Sequence, residues 1–344
     1  MKTPGKRLRL SDLAAYCNVS PSTASRALSG TPGVRPELRE KILAAAREKN
    51  YYQPTTMAGH RVIVLASTAA MLDYQRNQFT AHVLEGIRAR AAALDMELVT
   101  RSVAAPQHEL AVIEEAVADE DVAGLLFLTV DDDIVLAQAR NVAKPIVLVN
   151  GDDPTMQLSS VAPHNRVAAA LATRHLTGLG HRRILFCTNP GRRTITRRRE
   201  GWCDELPEDV RAHWQEMIVD TGEWTAEAAR EAILARLDRE GVDFTAILCA
   251  GDSLAIGVTH ALRERGLRIP EDISVVGIDG LPQGELLAPA LTSVHLPMRS
   301  IGEAAVDLMR EHCLADDFIA RRVELSCKLV IRDSSGHAPT RVGS

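Results

Sequence analysis

The sequence predicts an α/β protein carrying a small all-α head, and three observations predict it. Residues 10–28 read as two short helices joined by a tight turn. Residues 1–61 hold eleven Lys or Arg against four acids, a net +7, so the overall charge of −5 leaves −12 on the remainder. From Arg61 the pattern changes to strands alternating with helices, in two sets of similar length. Such alternation builds parallel sheets through right-handed crossovers. Behind the head, two α/β lobes with a cleft between them are expected, and a chain of 344 residues is long enough for more than one core.

In the first helix Leu13, Ala14 and Cys17 form an apolar stripe at three- and four-residue steps, and the Ser11 hydroxyl is placed to cap its start. Asn18 takes the turn, where a left-handed backbone is required and Asn tolerates it. Ser20 opens the second helix, Pro21 suits its first turn, and Ala24, Ala27 and Leu28 pack inward. Ser22, Thr23, Ser25 and Arg26 then face outward. Short side chains for close approach and one Arg able to fork onto guanine suit a helix in a DNA major groove. The competing reading is a helical hairpin with a solvated face. The basic charge of the same segment favours phosphate as partner. A third helix is expected over 36–49 with Leu38, Ile42 and Ala45 or Ala46 inward, and Pro54 ends the head.

In the first set, strands are expected at Val62–Ala66, Glu97–Arg101, Gly124–Leu128 and Ile146–Val149, with helices near Phe79–Leu94, His108–Ala118 and Ile134–Arg140. The second set has strands at Arg183–Cys187, Glu216–Val219, Ala246–Cys249 and Ser274–Gly277. Its helices are Asn165–Gly178, Arg197–Glu205, Ala226–Asp238 and Leu254–Arg265. Ser293–His295, a helix near Ser300–His312 and strands near Val323–Ser326 and Leu329–Ile331 close the chain.

The longest apolar runs are strand-sized, so no membrane span is expected, and no apolar signal segment follows the basic N-terminus. Six scattered cysteines without a CxxC pair suit reduced thiols in a cytoplasmic protein, with neither metal nor cofactor. No GxGxxG after a strand, GxxxxGK[ST], GxSxG or HExxH is present, which argues against an enzyme. His181 lacks a paired base or nucleophile and reads as structural.

Six blocks, in order, resemble the LacI/GalR family of bacterial transcriptional regulators. They are Asp12-Leu13-Ala14 through Thr23-Ala24-Ser25-Arg26-Ala27-Leu28; Val34 with Leu38-Arg39 and Ile42-Leu43; and Asn77-Gln78-Phe79 to Gly86-Ile87. They continue with His175-Leu176 and Leu179-Gly180-His181-Arg182-Arg183-Ile184; Arg198-Arg199-Glu200-Gly201-Trp202; and Val275-Val276-Gly277-Ile278-Asp279 followed by Pro289-Ala290-Leu291-Thr292-Ser293-Val294. The resemblance implies a non-enzymatic, operator-binding homodimer, with a helix-turn-helix head on a two-lobed, periplasmic-binding-protein-like (type I) body with parallel sheets. A small polar effector in the cleft, most readily a sugar or sugar derivative, would control DNA affinity. The expected divisions are a head at 1–54, a linker at 55–61, and an effector and dimerisation body at 62–333 with a tail at 334–344. Within the body one lobe takes 62–162 and 294–324, the other 163–293 and 325–333. The tail carries no leucine heptad, which favours a dimer over a tetramer. The alternatives are a periplasmic-type solute-binding protein and an α/β enzyme.

By position in the family, Pro21, Ser22 and Arg26 face base edges, while Ser11, Thr23, Ser25, Ser29 and Arg35 fall where phosphate contacts fix register. The effector residues implied are Phe79, Asn150, Arg192, Thr194, Arg198, Trp224 and Asp279; Asp252 is either a ligand contact or a helix cap, and Phe79 either a cleft wall or core. The cluster Arg192, Arg193, Arg197, Arg198 and Arg199 suits a sugar acid or sugar phosphate if two or more point inward; a nucleoside-like ligand is a further possibility. Two departures from the family stand out. The linker 54–61 is shortened and lacks the usual minor-groove Leu, so weaker DNA kinking is expected. His164 stands where the family has Asp beside the cleft, as either a titrating cleft residue or a structural one.

Overall fold

The computed structural model describes residues 10–28, 34–48, 60–75, 78–103, 106–130, 132–315 and 318–339. In the head, α1 (Leu10–Cys17), α2 (Pro21–Leu28) and α3 (Pro36–Glu48) close over their own core of Leu13, Cys17, Ala27, Ile42, Ala45 and Ala46. Asn18 adopts φ 57°, and the Asn18 and Val19 amides donate to the Ala15 and Ala14 carbonyls. This paired bond ends α1 and turns the chain into α2, with the left-handed residue that the turn was expected to need. Ser20 caps α2, accepting the Thr23 amide at 3.1 Å. One expectation is corrected here. The helix is already under way at Leu10, so Ser11 lies inside the first turn rather than at a cap, which needs a non-helical backbone.

The first lobe contains β1 (Arg61–Ala66), α4 (Thr68–Gln75), α5 (Phe79–Ala93), β2 (Glu97–Ser102), α6 (Pro106–Ala118), β3 (Val122–Leu128), α7 (Asp133–Ala139), β4 (Ile146–Val149) and β5 (Ser159–Pro163). The second contains α8 (Asn165–Gly178), β6 (Ile184–Thr188), α9 (Arg193–Asp204), α10 (Glu208–Arg211), β7 (Ile218–Asp220), α11 (Ala226–Glu240), β8 (Ala246–Cys249), α12 (Asp252–Glu264), β9 (Ser274–Asp279), α13 (Pro282–Glu285) and β10 (Thr292–His295). The chain ends with α14 (Met298–Leu314), β11 (Arg322–Leu325) and β12 (Lys328–Val330).

Among the described residues these strands form two six-stranded sheets, ordered β11-β5-β4-β3-β1-β2 and β12-β10-β9-β8-β6-β7. All pairings are parallel except β10 with β12. β1 shows why the strands read as continuous apolar runs. Val62, Val64 and Ala66 pack with Val83, Leu84 and Ile87 of α5, while Ile63 and Leu65 pack with the layer of α6 and α7. Covered on both faces, the strand has no polar side.

The chain passes between the sheets three times: between Pro163 and Asn165, between His295 and Met298, and between Leu325 and Lys328. The middle passage follows His295, past the expected 293/294 division, because β10 continues pairing with β9 to that residue. Two further elements differ from the reading of the sequence. The expected strand at Glu216–Val219 begins as a 3₁₀ turn, Trp214–Met217, with β7 after it. The expected tail is fastened to the second lobe: Ser334 is buried and donates to the Val275 carbonyl, and the Ala338 amide donates to Leu179.

Candidate functional site

Two sites emerge from this framework, one on the head and one between the lobes. On α2, Ala24 and Ala27 are buried, which leaves Pro21, Ser22 and Arg26 exposed on the opposite face. The Arg26 guanidinium lies back along that face, donating to the Ser22 hydroxyl at 3.2 Å and its carbonyl at 3.4 Å. Thr23 is half-buried and its hydroxyl pairs with Ser20 at 2.8 Å, so part of its bonding serves the cap. Arg35 is exposed just before α3. Arg39, not singled out in the sequence, donates to the Ala27 carbonyl at 3.2 Å and secures the end of α2. Ser25 belongs to α2 and Ser11 to α1, with their side chains outside the described residues, as are Ser29 and most of the linker.

Between the lobes lies a cavity of about 390 Å³, whose wall includes Phe79, Asn150, Arg192, Thr194, Arg198, Trp224 and Asp279, all seven of the residues expected there. They converge because all but Arg198 lie at the carboxyl end of a strand or at the start of the next helix, where open parallel sheets present their ligand-facing loops, and Arg198 projects from the second turn of α9. Asn150 follows β4 with φ 53°, and Asp279 ends β9 with φ 135°, a backbone that side-chain-bearing residues rarely adopt. Gly251 permits close packing at the cavity: a Cβ there would stand 2.6 Å from Trp224 Cζ2 and 3.2 Å from Asp279 Oδ2.

The cavity floor is polar and deep. Asn150, Thr194, Arg198 and Asp279 are each at most 6% exposed. Arg198 donates to Asn165 Oδ1 at 2.7 Å and to the Ala250 carbonyl, and its Nη1 stands 3.4 Å from Asp279 Oδ1. Burial pulls the Arg198 guanidinium below its ordinary range, with Asp279 opposing. Burial likewise pushes the Asp279 carboxyl up to about 8; Arg198 lowers it, while Asp252 and Asp73 raise it further. Among the described residues, Asn150 Oδ1 and Thr194 Oγ1 are buried with no hydrogen-bond partner. A buried polar atom left in this state calls for a ligand or water.

The arginine cluster disperses. Arg192 and Arg198 line the cavity, and Arg192 donates across the cleft to the Asn150 carbonyl at 2.6 Å. Arg193 pairs with Asp133, Arg197 with Asp152 at 2.7 Å, and Arg199 lies over the Trp214 ring at 4.8 Å. Asp252 is not part of the cavity wall. It begins α12, accepts from the Ser293 hydroxyl and the Leu281 amide, and so holds the loop after β9. His164 is likewise structural: its Nδ1 accepts the Val167 amide at 3.4 Å at the start of α8, and its Nε2 faces Glu324 at 3.5 Å. His181 is buried between the Thr245 hydroxyl and the Gly336 carbonyl, in keeping with its structural reading.

The sequence reading missed Thr129, Leu72, Asp73, Asn189 and Glu223 on the cavity wall. Thr129 follows β3 with φ 55°, just as Asn150 follows β4, so the strand-end rule applied evenly would have found it.

Comparison with known proteins completes the picture. Residues 9–54 match the model for bacterial regulatory proteins of the lacI family, and residues 173–335 match the periplasmic binding protein-like domain. The HTH-type transcriptional regulator reg1 of Streptomyces lividans is 30% identical over 346 residues, spanning 97% of this chain and 99% of that protein. MalR of Streptomyces coelicolor is 29% identical over 97% of this chain and 98% of its own length. Among solved structures, a complex of the transcriptional regulator CelR with cellobiose gives a TM-score of 0.71 at 25% identity, covering 95% of this chain and 99% of that one. The lac repressor dimer bound to operator gives 0.70 at 25% identity, covering 96% and 100%. With a lacI-type head, a body of this topology and relatives matched along their whole length, the chain belongs to the LacI family and is a DNA-binding transcriptional regulator, not an enzyme.

Proposed function

We propose that the protein is a cytoplasmic repressor that binds operator DNA as a homodimer, with its operator affinity set by a small neutral polyol held between the lobes. The effector class is a sugar or sugar derivative. The observation that carries this reading is the cavity floor, where Asn150 Oδ1 and Thr194 Oγ1 lack partners beside a buried Arg198–Asp279 pair. Such a floor offers donors and acceptors to hydroxyl groups, and Trp224 and Phe79 offer faces to the C–H side of a sugar ring. The Arg198 guanidinium at the floor is engaged by Asn165, the Ala250 carbonyl and Asp279, which favours a neutral ligand over a carboxylate or phosphate. The cellobiose held by CelR and the operator held by the lac repressor dimer support the ligand class and the assembly.

On the DNA side, Pro21, Ser22 and Arg26 read base edges, and Ser11, Thr23, Ser25, Ser29 and Arg35 hold phosphates. The head is 1–54, the linker 55–61, and the regulatory body 62–333. A thermal-shift panel of neutral sugars, sugar acids, sugar phosphates and nucleosides tests the effector class. A neutral sugar is expected to raise the melting temperature of the wild type and to lose that effect in Thr194→Val. Stabilisation confined to the acids and phosphates would overturn the reading.

A further inference from the structure

A second cavity, of about 320 Å³, opens at the middle chain passage and shares no lining residue with the first. Its wall comes from both lobes. His82 of α5 stands on one side and the loop from Gly280 on the other, and the passage from His295 to Arg299 and Ser300 of α14 runs between them. The frame is rigid. A Cβ at Gly86 would run into the Arg299 carbonyl and one at Gly302 into the Val83 carbonyl, so α5 and α14 meet backbone to backbone. Gly280, at φ 73°, lets the His295 ring close on the loop: a Cβ there would stand 2.7 Å from its Nδ1.

The polar side chains at this cavity can all donate hydrogen bonds. Among the described residues, His82 Nε2 is buried with no hydrogen-bond partner, a state that calls for a ligand or water. The His295 ring, the Arg299 guanidinium and the Ser300 hydroxyl line the same space. One carboxylate stands close by, outside the lining: Glu85 pairs with Arg299 and lies 3.9 Å from His82 Nδ1. Both members of the Arg299–Glu85 pair are exposed, and an exposed ion pair holds its partners weakly. Arg299 can therefore exchange Glu85 for a ligand, unlike Arg198, which is buried and held by three acceptors. Imidazole, guanidinium and hydroxyl donors on one cavity suit a tetrahedral oxyanion. Leu281, Leu296 and Met298, all buried, add an apolar wall for an organic group attached to it.

We propose that this second cavity binds a phosphate group, as orthophosphate or as the head of a small phosphate monoester, with Arg299, Ser300 and the two imidazoles donating to its oxygens. A ligand there spans both lobes at the passage between them. Phe79 lies three residues before His82 on α5, and Asp279 directly before Gly280, so the two cavities share supports. The site does not depend on the sugar reading of the first cavity.

The test is calorimetric titration of the full chain with orthophosphate, phenyl phosphate and phenol at fixed ionic strength. Saturable binding of at least one of the two phosphates is expected, and none of phenol. Tighter binding of phenyl phosphate identifies a monoester site, and tighter binding of orthophosphate a site for the free ion. Three variants locate the ligand. Arg299→Gln, at an exposed position, should weaken phosphate binding at least tenfold, the effect of losing a bond to a charged donor. His82→Gln should weaken it as well, and Glu85→Gln should tighten it by releasing Arg299. A structural role for these residues would not move affinity in both directions. Phosphate binding that all three variants leave unchanged, as for an anion resting on the basic head, would overturn the site. So would phenol bound as tightly as phenyl phosphate, or no phosphate binding at all.

Discussion

Thr194 and Arg198 sit a turn apart on α9 and make opposite demands on the empty protein. The Thr194 hydroxyl is buried without a partner, so its removal in Thr194→Val relieves a desolvated group. That variant is expected to melt at or above the wild-type temperature while binding effector at least tenfold more weakly, a combination that a structural role could not produce. Arg198→Ala strands Asp279 in a buried site and takes away the bonds to Asn165 and Ala250. Breaking a buried pair from one side costs about 3–5 kcal/mol, so a clear fall in the chemical-denaturation midpoint is expected. Asp279 also predicts a pH dependence. Burial raises its carboxyl from 3.8 to about 8, so between those values the native state holds a proton that the unfolded chain gives up. The stability from this group is complete below about 4 and drains away as pH rises through 8. Against an Asp279→Asn variant, which cannot ionise, the wild type should lose ground steadily over that range; a constant difference would contradict the assignment. At this scale the sequence was informative where chain position dictates chemistry, as for Asn18, Asn150 and Asp279. It left two roles open for each of His164 and Asp252, because their neighbours, Glu324 in one case and Ser293 and Leu281 in the other, arrive from distant segments.

Elements with a periodic apolar face or a continuous apolar run were readable, and β4, β8 and α8 fall on their expected residues. Two were not. In α4, Met71, Leu72, Asp73 and Tyr74 put apolar and acidic residues around the helix with no single stripe, and its place is set by bonds to α5. β5 reads Ser-Ser-Val-Ala-Pro and carries no strand-like apolar run, yet it is buried throughout because β4 and β11 flank it. The segment Arg197–Glu205 was read as a helix, but its packing was not foreseen. A Cβ at Gly201 would lie 1.9 Å from the Arg166 carbonyl oxygen, so α9 meets α8 backbone to backbone. Gly201→Ala must force these helices apart, at a cost of roughly 1–3 kcal/mol or more. Because α9 also carries Thr194 and Arg198, with Arg192 at its N-cap, the same change should weaken binding of the proposed effector, which calorimetry alongside urea unfolding would separate. In the head, Ser20→Ala removes the cap of α2 and should cost about 1 kcal/mol, measured on the full chain from the unfolding of the head.

At the scale of the whole molecule, the start of α9 ties the lobes together: Arg192, at its N-cap, to the Asn150 carbonyl, Arg193 to Asp133, and Arg197 to Asp152, which Arg322 also holds. These bonds cross the cleft around the cavity, and three chain passages join the lobes beside it. Under the proposed function, a ligand seated there would favour one arrangement of the lobes over another, and the head is covalently continuous with the first of them. The charge division, +7 over residues 1–61 against −12 beyond, leaves the head to meet phosphate and keeps the body off it. The sequence displayed that division directly, but it could not display the cross-lobe bonds, which join residues forty or more positions apart. The most direct test of the account is operator affinity, measured by fluorescence anisotropy with DNA from the upstream region of the chain's own gene, with and without a sugar that stabilises the wild type. The account predicts a shift in Kd of about 5- to 150-fold, the usual range of coupling between sites, in the wild type and none in Thr194→Val, with DNA binding by the free variant intact. A sugar that fills the cavity and leaves operator affinity unchanged would contradict it.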